Sequence, residues 1–208
     1  MPLKTSGPLA NRFLASLNRR DLLRLKPSLK AISLAQGALL HEVGDEVEWV
    51  AFPYSGMVSL LAVMANGKAI EIANVGREGV VGALAGLGRH VALDRAMVQL
   101  PLVGVQIEAT AFRKAAQASS TLRALILAHH QVIFAQVRTT AACNTLHSVE
   151  ARLCRWLLQT RDRTGTNVIG LTQESLSQLL SVRRTSVSAV SGKGTRWHRL
   201  GPLRMLVG

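Results

Sequence analysis

The sequence predicts an α+β chain: an antiparallel, jelly-roll-like β-roll, then a long helix, then a C-terminal helix-turn-helix. Three observations carry this prediction. Residues 31–109 are short apolar runs punctuated by Gly and Asn; after Thr110 apolar residues recur at three-and-four spacing; and residues 172–190 place apolar side chains where two helices packed across a tight turn need them. At 208 residues the chain can bury a sizeable core or divide into two small modules.

Taken in order, residues 9–30 carry Leu9, Phe13, Leu14, Leu17, Leu22, Leu23 and Leu25 at helical spacing, interrupted at Arg19-Arg20 and closed near Pro27. One or two short helices therefore lead into the first domain. The runs Trp49–Phe52, Met57–Val63 and Ala69–Val75 read as strands. Asn66-Gly67 lies between the last two and readily takes the positive φ values of a tight type I′ turn, predicting an antiparallel hairpin over 57–75. A further run, Met97–Ile107, contains Pro101 and Gly104, which suit an edge strand or a bulge better than a central strand.

Leu122, Ile126, Ile133 and Val137, then Leu146, Val149, Leu153, Trp156 and Leu157, predict a long helix around 119–142 and another around 145–162. A helix above twenty residues spans roughly 30 Å or more, which a small domain rarely covers alone. A second copy of the same helix is the expected cover, so the chain is expected to form a homodimer. The polar stretch Arg161–Asn167 separates these helices from the C-terminal residues. The division that results is 1–118 for the roll with its leading helices, 119–144 for the dimerisation helix and 145–208 for the C-terminal module.

Cys143 and Cys154 lack metal-ligand spacing and read as buried helix residues. No metal and no cofactor is expected. The N-terminus has no apolar signal core, and no apolar run reaches the roughly 18 residues of a membrane span; a soluble cytoplasmic protein without membrane partners is the expectation.

The formal charge of +13 favours an anionic partner. Residues 145–208 alone hold ten Lys/Arg against Glu150, Asp162 and Glu174. Within that region Leu176, Leu180, Val182, Val187 and Val190 fall at buried positions of a helix-turn-helix, Ser177 is small where the helices approach, Thr172 can cap the first helix, and Glu174 suits its N-terminal end. Such a unit lays its second helix in the major groove of double-stranded DNA. Arg184 is the candidate for direct base readout, because a guanidinium can bond two guanine acceptors at once; Arg183, Thr172, Gln173 and Ser186 suit phosphates, and Thr185 and Ser188 share the same helix start.

The order of β-roll, long helix and helix-turn-helix, with Phe52–Ser59, Val75–Gly82, Thr140–Glu150 and Leu171-Thr-Gln-Glu174, resembles the Crp/Fnr superfamily of transcription regulators over roughly residues 11–190. The resemblance implies a small-molecule effector in the roll, DNA as target and RNA polymerase as a further partner. In the family a Gly-Glu-Leu step followed by an Arg-Ser/Thr pair holds a cyclic nucleotide. Here Gly82-Ala83-Leu84 stands at that step and no clean pair comes after it, so the ribose and phosphate contacts are missing; Gly82, Ala83, Leu84 and the nearby Arg95 are the candidate effector-pocket residues. No cysteine precedes Cys143 to hold an iron–sulfur cluster, and His41, His90, His129, His130 and His147 read as surface or packed side chains rather than haem ligands.

The sequence leaves the family pattern after Val190. Ser191-Gly-Lys-Gly194 breaks helical propensity, and Thr195–Gly208 shows neither amphipathic nor strand periodicity, as expected of a truncated or frame-shifted end that leaves the C-terminal module incomplete after about 191. Two functions fit this pattern: a regulator that binds DNA in response to an effector, or a sensor or dominant-negative dimer partner whose helix-turn-helix is crippled. No phosphate-binding Gly loop, nucleophile–base pairing or metal spacing points to an enzyme.

Overall fold

A computed structural model describes residues 10–88, 91–165, 167–171 and 204–207. Two short helices, α1 (Arg12–Ala15) and α2 (Arg19–Leu25), open it, each capped by an asparagine side chain that accepts a backbone N–H of the first turn. Asn11 does more than cap. Its buried Nδ2 donates to the carbonyls of Pro53 and Gly79 at 2.9 and 2.8 Å, fastening α1 to two separate parts of the roll.

The roll is built from β1 (Lys30–Leu34), β2 (Leu39–His41), β3 (Trp49–Val63), β4 (Ala69–Val75) and β5 (Arg95–Glu108), all antiparallel, in the order β1-β5-β3-β4 with β2 also on β5. The two runs 49–52 and 57–63, which read as separate strands, are one strand. β3 continues through Pro53 by shifting register against β5 three times between Pro53 and Val58. β5 itself is central, flanked by β1 and β2 on one side and β3 on the other, and not at an edge. Pro101 is tolerated there because it takes no place in the register on either side: β1 ends opposite Leu102, β2 begins opposite Met97, and β3 jumps from Val103 to Leu100. Gly56 permits the same crossing, since a Cβ on it would lie 2.2 Å from the Pro101 carbonyl oxygen and its φ is +80°.

The β3–β4 hairpin forms as expected, but its turn is not a two-residue type I′. The Met64 carbonyl accepts from Gly67 N–H and the Met64 N–H donates to the Lys68 carbonyl, both at 2.8 Å, and Gly67 takes φ +78°. This is a three-residue loop in which the glycine occupies the left-handed region.

Beneath the sheet, Phe13, Phe52 and Phe112 stack in series with centroids 5.9 and 6.0 Å apart, joined by Leu14, Leu25, Val50, Ile107, Leu122 and Ile126. A second cluster, Val58, Leu60, Val75, Val98 and Leu102, lies toward β4. Helix α3 (Ala109–Gln117) contributes Phe112, and α4 (Ser120–Leu146) contributes Leu122 and Ile126 to the first cluster and Ile133 and Val137 to the second. The stripe that the periodicity identifies on α4 is thus covered by its own roll. A different stripe is left open: Leu127 and Phe134, seven residues apart, are 53% and 58% exposed.

Helix α5 (Val149–Thr164) starts after a break at His147-Ser148, where His147 is extended and Ser148 Oγ accepts from Ala151 N–H. It turns Leu153, Trp156, Leu157 and Thr160 inward. Cys143 is buried as expected, whereas Cys154 is only half-buried; burial, then the nearby Glu150, pushes its thiol pKa up. Finally, β6 (Val168–Leu171) pairs in parallel with β7 (Arg204–Val207). The tail therefore contains a strand, which four residues are too few to reveal as periodicity. The helix-turn-helix expected at 172–190 lies outside the described residues, as do Arg89 and His90. Among the described residues no helix is long and apolar enough to cross a membrane, and no group of three or more His, Cys, Asp or Glu side chains could hold a metal ion.

Candidate effector cavity and its ties to the helices

The segment from Gly76 to Leu87 runs from the end of β4 into a 3₁₀ turn (Ala83–Leu87) and lies between β3 and α4. Several hydrogen bonds hold it. Val81 exchanges both backbone hydrogen bonds with Ala51, at 3.0 and 2.9 Å, and Arg113 Nε of α3 donates to the Ala85 carbonyl at 3.0 Å. Val80 N–H donates to His129 Nε2 on α4 at 3.2 Å. That bond needs a neutral imidazole, and burial, with a smaller contribution from His130, lowers the His129 pKa to about 4. Gly79 is required beside it, since a Cβ there would lie 2.7 Å from His129 Nε2.

Between this segment, the roll and α4 lies a cavity of about 110 Å³. Its walls are mainly apolar, among them Leu60, Val81, Ala83, Ala92 and Ile133. Its polar groups are His41, Asp94, His129 and His130; His41 Nε2 and Asp94 Oδ1 are 3.1 Å apart. Of the expected pocket residues, Gly82, Ala83 and Leu84 line it. Arg95 does not: its Nε donates to both oxygens of Glu42, at 2.9 and 2.7 Å, in an outer ion pair. The Glu42 carboxyl is held below its usual pKa first by the Val43 backbone N–H and then by Arg95.

A second polar cluster joins the roll to both long helices. The buried Glu71 carboxyl accepts from Ser59 Oγ on β3, from Asn74 Nδ2 at 2.9 Å, and from the Trp156 indole N–H of α5 at 3.0 Å. Burial pushes its pKa up, while the three donors and Arg163 pull the other way. The Asn74 backbone meets the Gln136 amide of α4 at 3.4 Å on both its N–H and its carbonyl. One turn beyond Trp156, Thr160 Oγ1 donates to the Trp156 carbonyl and reaches Met57 Sδ at 3.8 Å. Near the end of α5, Arg163 Nε donates to Glu78 Oε1 at 3.0 Å.

Sequence reasoning did not single out Glu71, Trp156, His129 or Asp94 as site residues. The alternation Ile70-Glu71-Ile72 reads as an ordinary two-faced strand with Glu71 on its polar side; in the structure Glu71 is buried, and Trp156 of α5 bonds it. Thr172, Gln173, Arg183, Arg184, Thr185, Ser186 and Ser188 lie outside the described residues.

This architecture, an antiparallel roll, then a long helix, a break and a second helix packed on the roll, is a Crp/Fnr-like fold. No protein-family model and no curated protein matches the chain. Solved structures do. The chain is similar to CLP, the c-di-GMP-responsive global regulator of Xanthomonas campestris, at 13% identity and TM-score 0.66, covering 86% of this chain and 92% of that one. It is similar to FixK2 of Bradyrhizobium japonicum at 13% identity and TM-score 0.67 over 83% and 86% of the two chains. A protein of Eubacterium rectale described as a transcriptional regulator of the crp/fnr family gives 14% identity and TM-score 0.67 over 92% and 88%. Identities this low establish the fold alone.

Proposed function

We propose that the chain is a cytoplasmic, DNA-binding transcription regulator of the Crp/Fnr type and not an enzyme. The observation that carries this reading is the continuous set of contacts from the cavity to the helices: the wall segment bonds α4 through Val80 and His129, and β4 bonds α4 through Gln136 and α5 through Trp156. An effector in the cavity touches residues of both the roll and α4. It can shift the helices only through different affinity for their arrangements.

In this reading residues 1–118 sense, 119–144 dimerise through the stripe containing Leu127 and Phe134, and 145–208 bind DNA. Arg184 reads a base. Thr172, Gln173, Arg183, Thr185, Ser186 and Ser188 contact phosphates or neighbouring bases, and RNA polymerase is the partner at the promoter. The relatedness of the fold to named regulators and the excess of ten Lys/Arg over three acidic residues in 145–208 support it.

The test is selection of sites from a pool of random duplexes by the purified chain at moderate and raised salt, with Arg184→Ala as control. Enrichment of a two-fold symmetric site that Arg184→Ala weakens supports the regulator. Weak binding without sequence preference that salt erases points instead to a sensor or dominant-negative partner with a crippled helix-turn-helix.

A further inference from the structure

We propose that the roll's cavity binds a small, uncharged, largely apolar molecule bearing one hydroxyl group, of the size of phenol or benzyl alcohol, with the hydroxyl donated to Asp94 and the apolar body against Ala83, Leu60 and Ile133. The inference rests on reading the roll as the effector domain, and it assigns the ligand's chemistry.

Three observations carry it. The first is size. At about 110 Å³ the cavity falls below the roughly 300–1,000 Å³ usual for sites that take drug-sized ligands and cofactors. It lies near the ~150 Å³ that suffices for benzene in an apolar protein interior. A base, a ribose and a phosphate are not enclosed together in that space.

The second is charge. Among the described lining residues none is Arg or Lys, and Asp94 adds a carboxylate. The nearby Arg95 is occupied by Glu42 at 2.7 Å and is not part of the wall. A phosphate would enter with no Arg or Lys partner among the described lining residues and against a carboxylate, at a large desolvation cost.

The third is the placement of polar groups. His129 Nε2 is already taken by Val80 N–H, whereas Asp94 meets His41 through Oδ1. A carboxylate has room to accept a further donor beyond that contact, and a ligand hydroxyl is the donor that fits an otherwise apolar wall. The opposite wall is α4 itself, through His129, His130 and Ile133, so the ligand's body bears directly on the long helix.

The experiment is calorimetric titration of the full-length chain, without DNA, with phenol, toluene and 3′,5′-cyclic AMP in turn. Saturable binding of phenol, tighter than that of toluene, is expected, with no binding of the cyclic nucleotide. Ala83→Leu fills the cavity and is expected to weaken phenol at least tenfold. Because that variant could also disturb folding, Asp94→Asn provides the second reading: it is expected to remove most of the preference for phenol over toluene while leaving toluene within about twofold. Absence of saturable phenol binding, an unchanged preference in Asp94→Asn, or saturable binding of cyclic AMP, whether or not Arg89 supplies its cation, overturns the proposal. Since DNA takes no part, failure here leaves the duplex selection free to succeed, and failure of that selection leaves this titration free to succeed.

Discussion

Replacing Trp156 by Phe removes a single donor from the bond between α5 and the roll while keeping most of the apolar volume. The indole N–H lies 3.0 Å from Glu71 Oε1, and both residues are buried. Leaving a buried acceptor short of a partner costs about 1–3 kcal/mol. The lost ring atoms add about 1 kcal/mol of transfer and cavity cost. The sum, about 2–4 kcal/mol, corresponds for a chain of this size to a fall in Tm of roughly 4–16 °C. Scanning calorimetry and urea titration measure it. The decisive comparison is the cycle of Trp156→Phe, Glu71→Leu and the double variant, whose coupling is expected at about 1 kcal/mol or more. If Trp156→Phe costs the same in the Glu71→Leu background, which has no acceptor, as in the native chain, the indole contributes by packing alone and the argument for a polar tie is refuted.

Other outcomes rest on the same geometry. His129 stays neutral in the fold down to pH about 4, against an ordinary value of 6.5, so the unfolded chain takes up its proton first as pH falls. About 2–3 kcal/mol of stability is therefore lost between pH 6.5 and 4, and His129→Phe, tested by urea titration across that range, is expected to flatten the loss. Glu71 has the opposite sense, its folded pKa being raised, so its contribution is complete below the unfolded carboxyl value and declines as pH rises; Glu71→Gln is expected to gain on the native chain as pH rises above the ordinary carboxyl range in the same titrations. Gly56→Ala places a Cβ 2.2 Å from the Pro101 carbonyl oxygen at a φ of +80°, and a loss above about 3 kcal/mol, or insoluble protein, is expected on expression and thermal melting. Phe134→Asp puts a charge in the exposed stripe of α4 and is expected to weaken self-association at least tenfold in sedimentation equilibrium, with the monomer's circular dichroism unchanged.

The roll, the hairpin and the two helices were legible because each rests on local signals: Asn66-Gly67 between apolar runs, three-and-four apolar spacing along the helices, and the polar stretch Arg161–Asn167 at the end of α5. The features that escaped depend on long-range partners. Pro101 argued for an edge or a bulge because a proline cannot join a ladder; β5 lies in the centre, and the sheet interrupts its register on both sides at that residue, as the bulge alternative requires. The spacing of Leu122, Ile126, Ile133 and Val137 marks a buried face without saying what buries it, and the cover proved to be the same chain's roll. At the cavity, Gly82, Ala83 and Leu84 stand in the wall while Arg95 turns to Glu42, 53 residues away, a pairing that nothing in a linear sequence reveals.

The break at His147-Ser148 also sets a mechanical advantage. Trp156 stands eight residues beyond Ser148 and Thr164 sixteen, so along a straight helix the second is about 24 Å from the break and the first about 12 Å. A rotation of α5 about that point that slides the indole by about 1 Å across Glu71 carries the helix end by about 2 Å. The chain beyond Gly165 is thus attached to the long arm of a lever whose short arm ends on β4, and the bond of Arg163 to Glu78 lies near its tip.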